Sequence, residues 1–258
     1  MIAAAAGVAT VFVPGVLVGP AVMNGSARGT ALVVFALAVP ILIVSMYLVG
    51  RGAIRPVITW LGAVTYLLYN SFLFLTGTPF NSLFLLYVAM FGLSVWSIAL
   101  ALRAVDVPAL AARFSASLPV RPLAAFLGLI GILNALAWLR QVVPALFDTM
   151  PPAFVDGTGL QTSPTFVQDL SFWLPLTVVS AICLWQRRPW GIVISGLLLV
   201  YGVIEGIGVA TDQAFGHAAD PSSSVVLVAA IPGFLALAAI ELVAAFFYFR
   251  HLDGTRDL

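Results

Sequence analysis

The sequence contains no lysine; apart from two histidines, all of its basic side chains are arginines. That excludes chemistry through a lysine Schiff base, retinal- or pyridoxal-type catalysis included. Cysteine is almost absent as well. The single Cys183 allows no internal disulfide, and thiol-ligated zinc or iron–sulfur centres need several such residues. His217 and His251 stand too far apart in the chain, on opposite expected membrane sides, to share an ion. No metal site and no cofactor are expected.

Charge of either sign is scarce. Only 8% of the 258 residues are charged, against about 25% in an ordinary soluble domain. So few charges cannot keep a soluble exterior wetted. The net charge of +1 lacks the clustered basic face that nucleic acid requires, so no nucleic-acid partner is expected. Three enzyme signatures are also missing: His-Glu-x-x-His, Gly-x-Ser-x-Gly and a phosphate-cradling glycine loop. Nothing in the motifs points to an enzyme.

What the chain has instead is apolar length: 62% of its residues are hydrophobic. A helix needs about 20 mostly apolar residues to cross the hydrocarbon of a bilayer. Eight runs meet that need: Ile2–Met23, Thr30–Val49, Val57–Leu75, Asn81–Leu102, Leu123–Val143, Pro164–Gln186, Trp190–Thr211 and Ser223–Phe249. The expected fold is therefore all-α: one polytopic bundle of eight transmembrane helices with the lipid bilayer as its main partner. Met1–Ala27 carries no charged side chain, so the basic start of a secretory signal is missing and a retained span is expected. Gly77-Thr78-Pro79 breaks the third run from the fourth with turn chemistry. Ser163 followed by Pro164 reads as an N-cap and first helical position.

Arginine placement gives the orientation. With both termini in the cytoplasm, Arg51, Arg55, Arg103, Arg113, Arg121, Arg187, Arg188, Arg250 and Arg256 fall inside, leaving only Arg28 and Arg140 outside. This is the pattern of a multi-pass cell-membrane protein, of the bacterial inner-membrane kind. The inner connection 107–118 repeats apolar residues at helical spacing, which suits a short helix in the headgroup plane or an amphipathic connector packed on the bundle. The segment Asn24–Thr30 reads as an outer loop. Arg55-Pro56, Arg121-Pro122 and Arg188-Pro189 open three helices at near-equal intervals, as duplicated hairpins would; proline's fit to a first helical turn explains the same pattern without ancestry.

Polar residues inside spans are costly, and they mark candidate sites. They gather in the outer halves of spans three, five, six and seven: Tyr66, Tyr69 and Asn70; Asn134, Trp138 and Arg140; Gln168, Asp169 and Trp173; Tyr201, Glu205 and Asp212. Glu205, Arg140, Asp169, Tyr66, Asn70, Asn134, Tyr201 and Asp212 are the ligand-binding or ion-pair candidates. Arg140 and Glu205 come at matching depth, which suggests a pair between them, with Asp169 competing for the same arginine. Gly202 and Gly206 flank Glu205 at the spacing that lets a second helix approach closely. Glu241, deeper in span eight, is expected to pair with an inner arginine such as Arg187 or Arg188. The function expected from this pattern is binding or permeation of a small solute at an outward-facing polar cavity. The alternatives are a non-catalytic accessory or sensor subunit, with a membrane-protein partner or a second copy of itself, and a membrane-embedded enzyme acting on lipid.

Overall fold

Apolar periods of this length fold as helices because lipid cannot satisfy an open backbone N–H or C=O. The computed structural model describes residues 1–148 and 150–253. Its described residues form eleven α-helices and no strand, beyond one isolated bridge between Phe114 and Leu252. The helices are α1 (Ile2–Phe12), α2 (Ala21–Val33), α3 (Val39–Gly50), α4 (Arg55–Gly77), α5 (Phe84–Ala104) and α6 (Val107–Ala112), then α7 (Val120–Ala145), α8 (Pro164–Gln168), α9 (Leu174–Trp185), α10 (Pro189–Ala219) and α11 (Ile231–Phe249). A π-helical turn, Val34–Ala38, joins α2 to α3, and another, Asp169–Trp173, joins α8 to α9. Each lies just before a proline, Pro40 or Pro175, which removes a backbone donor and would crowd the carbonyl four residues back in a regular helix. The wider turn relieves that conflict and keeps the span continuous.

Among the described residues, seven helical segments are long and apolar enough to cross a membrane: Ala21–Gly50, Arg55–Gly77, Phe84–Ala104, Val120–Ala145, Pro164–Trp185, Pro189–Ala219 and Val228–Phe249. The chain is a polytopic membrane bundle. The first expected span differs from the reading of the sequence. Helix α1 has 11 residues, about 16 Å at 1.5 Å per residue, roughly half the hydrocarbon thickness. Pro14, Gly15, Gly19 and Pro20 end it, with both glycines at positive φ. The expected loop Asn24–Thr30 is also helical, inside α2. Its small residues are used for packing: a Cβ on Gly29 would meet Thr211 O at 2.5 Å, and one on Gly25 would collide with Phe215 O.

Helix α10 is the centre of the bundle, touching α2, α4, α6, α9 and α11. Helices α5, α7 and α11 leave most of their apolar surface uncovered, as lipid-facing helices do. At one end of the bundle gather the turn Arg51–Ile54, the α5–α7 connection, Gln186–Arg188 and Arg250–Asp253; this arginine end holds every described arginine except Arg28 and Arg140. Arg256 lies outside the described residues.

The connection 107–118 takes the packed form. Its helix is only Val107–Ala112, capped by Asp106 on Ala109 N at 2.9 Å, and Val107, Leu110, Ala111 and Leu118 are buried in one core with Ile192, Tyr248 and Leu252. The segment after it pairs with the chain's last described turn: Ser115 N donates to His251 O at 2.9 Å, and Asp253 N to Arg113 O at 3.0 Å. Arg55 donates to Leu252 O from both Nε (3.1 Å) and Nη2 (2.8 Å). Arg187 donates from Nη2 to both Ala116 O (2.9 Å) and Leu118 O (3.0 Å). These arginines close the arginine end by bonding carbonyls of its connecting turns.

Candidate functional site

The opposite, far end of the bundle holds the polar side chains. Helix α4 turns Tyr66, Tyr69 and Asn70 inward, because its other neighbours on that face are apolar and packed on α10. Asn70 Nδ2 donates to Glu205 Oε2 across the α4–α10 interface at 3.1 Å, and also to Tyr66 O at 3.1 Å. The π turn brings Asp169 and Trp173 to the same place. Trp138 Nε1, from α7, donates to Asp169 Oδ2 at 2.8 Å, and the Tyr69 hydroxyl bonds the same carboxylate.

Between the two acids stand three aromatic rings in a near-equilateral group. Tyr69 and Trp173 have centroids 5.9 Å apart, Tyr69 and Tyr201 5.6 Å, Trp173 and Tyr201 5.7 Å. Such rings present electron-rich faces that attract cations. Asp212 lies on α10 at the far edge, bonded by Gln213 Nε2 at 2.8 Å and approached by Ser26 and Thr30 of α2.

Three polar side-chain atoms are buried with no partner among the described residues: the Tyr66 hydroxyl, Gln168 Nε2 and, on α2, Arg28 Nε. Tyr66 is wholly buried, and its hydroxyl points at Gly208, where a Cβ would stand 2.8 Å away. Gly208 lies between Glu205 and Asp212 on one face of α10, so the unbonded phenol points between two carboxylates. Buried polar groups without partners are rare, and each needs a reason.

No family model, curated protein or solved structure matches this chain. The geometry alone must carry the functional reading.

It corrects two expected pairs. Arg140 is exposed, forms no ion pair with Glu205 or Asp169, and stands at the rim of α7, which packs mainly on α9. Depth along two helices was matched, but their faces were not, and Asp169 takes neutral donors instead. Glu241 does not meet Arg187 or Arg188. It is 6% exposed and lies against Gly202, whose added Cβ would collide with the carboxylate. The spacing of Gly202 and Gly206 held the signal: these are the positions where α11 approaches, Gly206 facing Ala238. Asn134 is half-buried on α7 and makes no hydrogen bond with the described residues.

The cluster is packed rather than open. Asn70, Asp169 and Trp173 are buried, while Glu205, Tyr201 and Asp212 are half-buried. Two grooves, of about 520 and 370 Å³, lie elsewhere, along α7 and α9 toward the arginine end, and neither is lined by Glu205. Among the described residues no three metal-ligating side chains converge. The chemistry on offer includes carboxylate and aromatic-face binding.

Proposed function

We propose that this protein binds a small cationic solute at the far-end cluster, as the recognition step of permeation or of sensing across a cell membrane. The arginine end is cytoplasmic in this reading, since arginine-rich connections stay on that side. One observation carries it. Glu205 and Asp169 flank the ring group of Tyr69, Trp173 and Tyr201, and both acids receive hydrogen bonds only from neutral donors. A carboxylate inside a bilayer is strongly unfavourable without a cation or proton. An ammonium-type solute would supply the missing charge and use the ring faces. Tyr66 and Gln168 provide polar groups with bonding capacity to spare.

The test is a titration of the full chain in lipid nanodiscs with tetramethylammonium, followed by tryptophan fluorescence at constant ionic strength. A saturable response that weakens at least tenfold in Glu205→Gln and Asp169→Asn is expected. A response equal in wild type and both variants, or none in wild type, sinks the reading.

A second reading, a non-catalytic accessory subunit, is favoured by the apolar groove along Gly128, Ile132, Val178 and Ile182, which lies away from the acids. It predicts that substitutions in that groove disturb assembly with a membrane partner while the far-end cluster tolerates neutralisation.

A further inference from the structure

The two grooves along α7 and α9 run into one another. Trp185 and Gln186 line both, so the groove of about 520 Å³ at the arginine end continues into the one of about 370 Å³. Their chemistry differs. The first part holds Arg121 and Arg187 beside the opening turn of α7, and the second is lined by Gly128, Ile132, Val178 and Ile182. Among the described residues no acid lines either part. Asp106, at the same end of the bundle, is used as the cap of α6 on Ala109 N.

Both arginines are held at the groove. The Arg121 guanidinium lies over the Trp185 ring, 5.8 Å from its centroid. Arg187 closes α9 with a left-handed backbone (φ 54°), its N–H donating to Leu184 O at 2.8 Å and that of Arg188 to Cys183 O at 2.9 Å. Helices that end in this way usually place glycine there. The side chain is what the position uses: Nη2 is fixed by Ala116 O and Leu118 O, while Nε and Nη1 have no hydrogen-bond partner among the described residues.

The apolar part has the dimensions of one leaflet. From Arg121 to Ile132, α7 rises about 16 Å, roughly half of the hydrocarbon core. Ile132, Ile182 and Trp185 are all about half exposed, so the groove opens sideways onto lipid. Gly128 keeps it open. A Cβ there would meet only Ala181 Cβ, at an ordinary 3.6 Å, so contact between the helices does not require glycine at this position.

We propose that this groove binds an anionic phospholipid from the leaflet at the arginine end, with its phosphate on Arg121 and Arg187 and an acyl chain along Gly128 and Ile132. Charge decides the occupant. Two arginines with no acid beside them call for an anion, and guanidinium groups match phosphate oxygens in geometry as well as charge. Basic pockets between spans at a membrane surface bind such headgroups. A zwitterionic lipid would bring its own cation to the arginines, and a partner helix would leave them unpaired unless it carried an acid. A lipid seated here excludes the membrane partner of the accessory-subunit reading from the same groove.

The test is native mass spectrometry of the full chain in mild detergent, titrated with phosphatidylglycerol or with phosphatidylcholine of the same acyl chains. The first phosphatidylglycerol should bind at least tenfold tighter than the first phosphatidylcholine. Arg121→Gln should weaken phosphatidylglycerol about fivefold, the usual contribution of one basic side chain at a membrane surface. Arg51→Gln, an exposed arginine at the same end that does not line the groove, should leave that affinity unchanged. Gly128→Leu, which fills the apolar part, should weaken phosphatidylglycerol at least as much as Arg121→Gln does. Thermal unfolding in the same detergent checks the fold of each variant, and Ala125→Leu, in the same part of the groove, takes the place of Gly128→Leu if that variant does not fold. Equal binding of the two lipids by the wild type overturns the proposal. So does an equal loss in Arg51→Gln and Arg121→Gln, which would mean attraction to the basic end as a whole. A dimer mass that Gly128→Leu abolishes, without any lipid preference, gives the groove to a second copy of the chain and overturns it too. The cation-binding reading is judged separately, since Glu205 and Asp169 line neither part of the groove.

Discussion

Asn70 donates a hydrogen bond to Glu205 at 3.1 Å, and this bond ties α4 to α10 in the half of the bundle away from the arginines. It is the only side-chain donor that Glu205 has among the described residues. Hydrogen bonds to a charged group contribute about 1.5–3 kcal/mol, whereas interhelical bonds within membranes average about 0.6 kcal/mol. A double-mutant cycle of Asn70→Ala and Glu205→Gln, read by unfolding in mixed micelles, distinguishes the two. Coupling above about 1.5 kcal/mol means an ionised Glu205, and coupling near 0.6 kcal/mol a neutral one.

Trp138 and Asp169 give a second measurable link, between α7 and the π turn. Trp138→Phe keeps ring contact with Phe166, 4.7 Å away by centroid, and removes the N–H donor. A loss of about 1 kcal/mol is expected, with Asp169→Asn costing less in the Trp138→Phe background than in wild type. Equal costs in both backgrounds would mean the bond contributes nothing.

At the arginine end, Leu110→Asp should prevent stable folding, since Leu110 is packed in the protein core and a charge there has no partner. Arg187→Gln should be milder. It removes the bonds to the carbonyls of Ala116 and Leu118, the second of which keeps Val120 N, and should speed proteolysis within 113–118. Wild-type cleavage kinetics in Arg187→Gln would show that the connection is held by its apolar face alone.

Gly29→Ala tests the α2–α10 contact. The added methyl would meet backbone atoms, Thr211 O at 2.5 Å and Asp212 Cα at 2.9 Å, which cannot swing aside. Overpacking of this kind costs about 1–3 kcal/mol. Gly233→Ala, where the Cβ meets nothing within 4 Å, is the control and should leave thermal stability unchanged or slightly raised.

Topology follows from single cysteines in a Cys183→Ala background, probed with membrane-impermeant maleimide. Val18→Cys and Phe80→Cys, both well exposed, should react from one side, and Arg51→Cys from the other. Protection of Val18→Cys from both sides would restore a first span that crosses the whole bilayer.

Much of this architecture is legible in the residues, because lipid imposes one rule on every span. A run such as Val57–Leu75 or Trp190–Thr211 must be helical wherever it packs, and α4 and α10 contain those runs whole. The turn at Gly77–Pro79 and the Ser163 cap are equally local, and Ser163 Oγ does accept from Phe166 N, at 3.3 Å. The first span misled because apolar composition does not register helix continuity. Pro14 and Pro20 leave Met1–Ala27 as apolar as any span, yet α1 stops at Phe12. In Asn24–Thr30 the polar and small residues that resemble a loop are the ones that allow close contact with α10.

By itself, then, the sequence determined an all-helical membrane bundle, the gathering of its arginines at one end and the gathering of polar residues in particular spans, since each of these depends on neighbours along the chain. Which polar residues meet was decided only by the tertiary structure. Helical depth places Arg140 and Glu205 at one level, but the rotation of α7 about its axis puts Arg140 at the rim and leaves Glu205 to Asn70. The approach of α11 to Gly202 likewise seats Glu241 against α10 rather than beside an arginine. Depth is a property of one helix and can be counted from sequence; azimuth is set by the packing of all its neighbours at once.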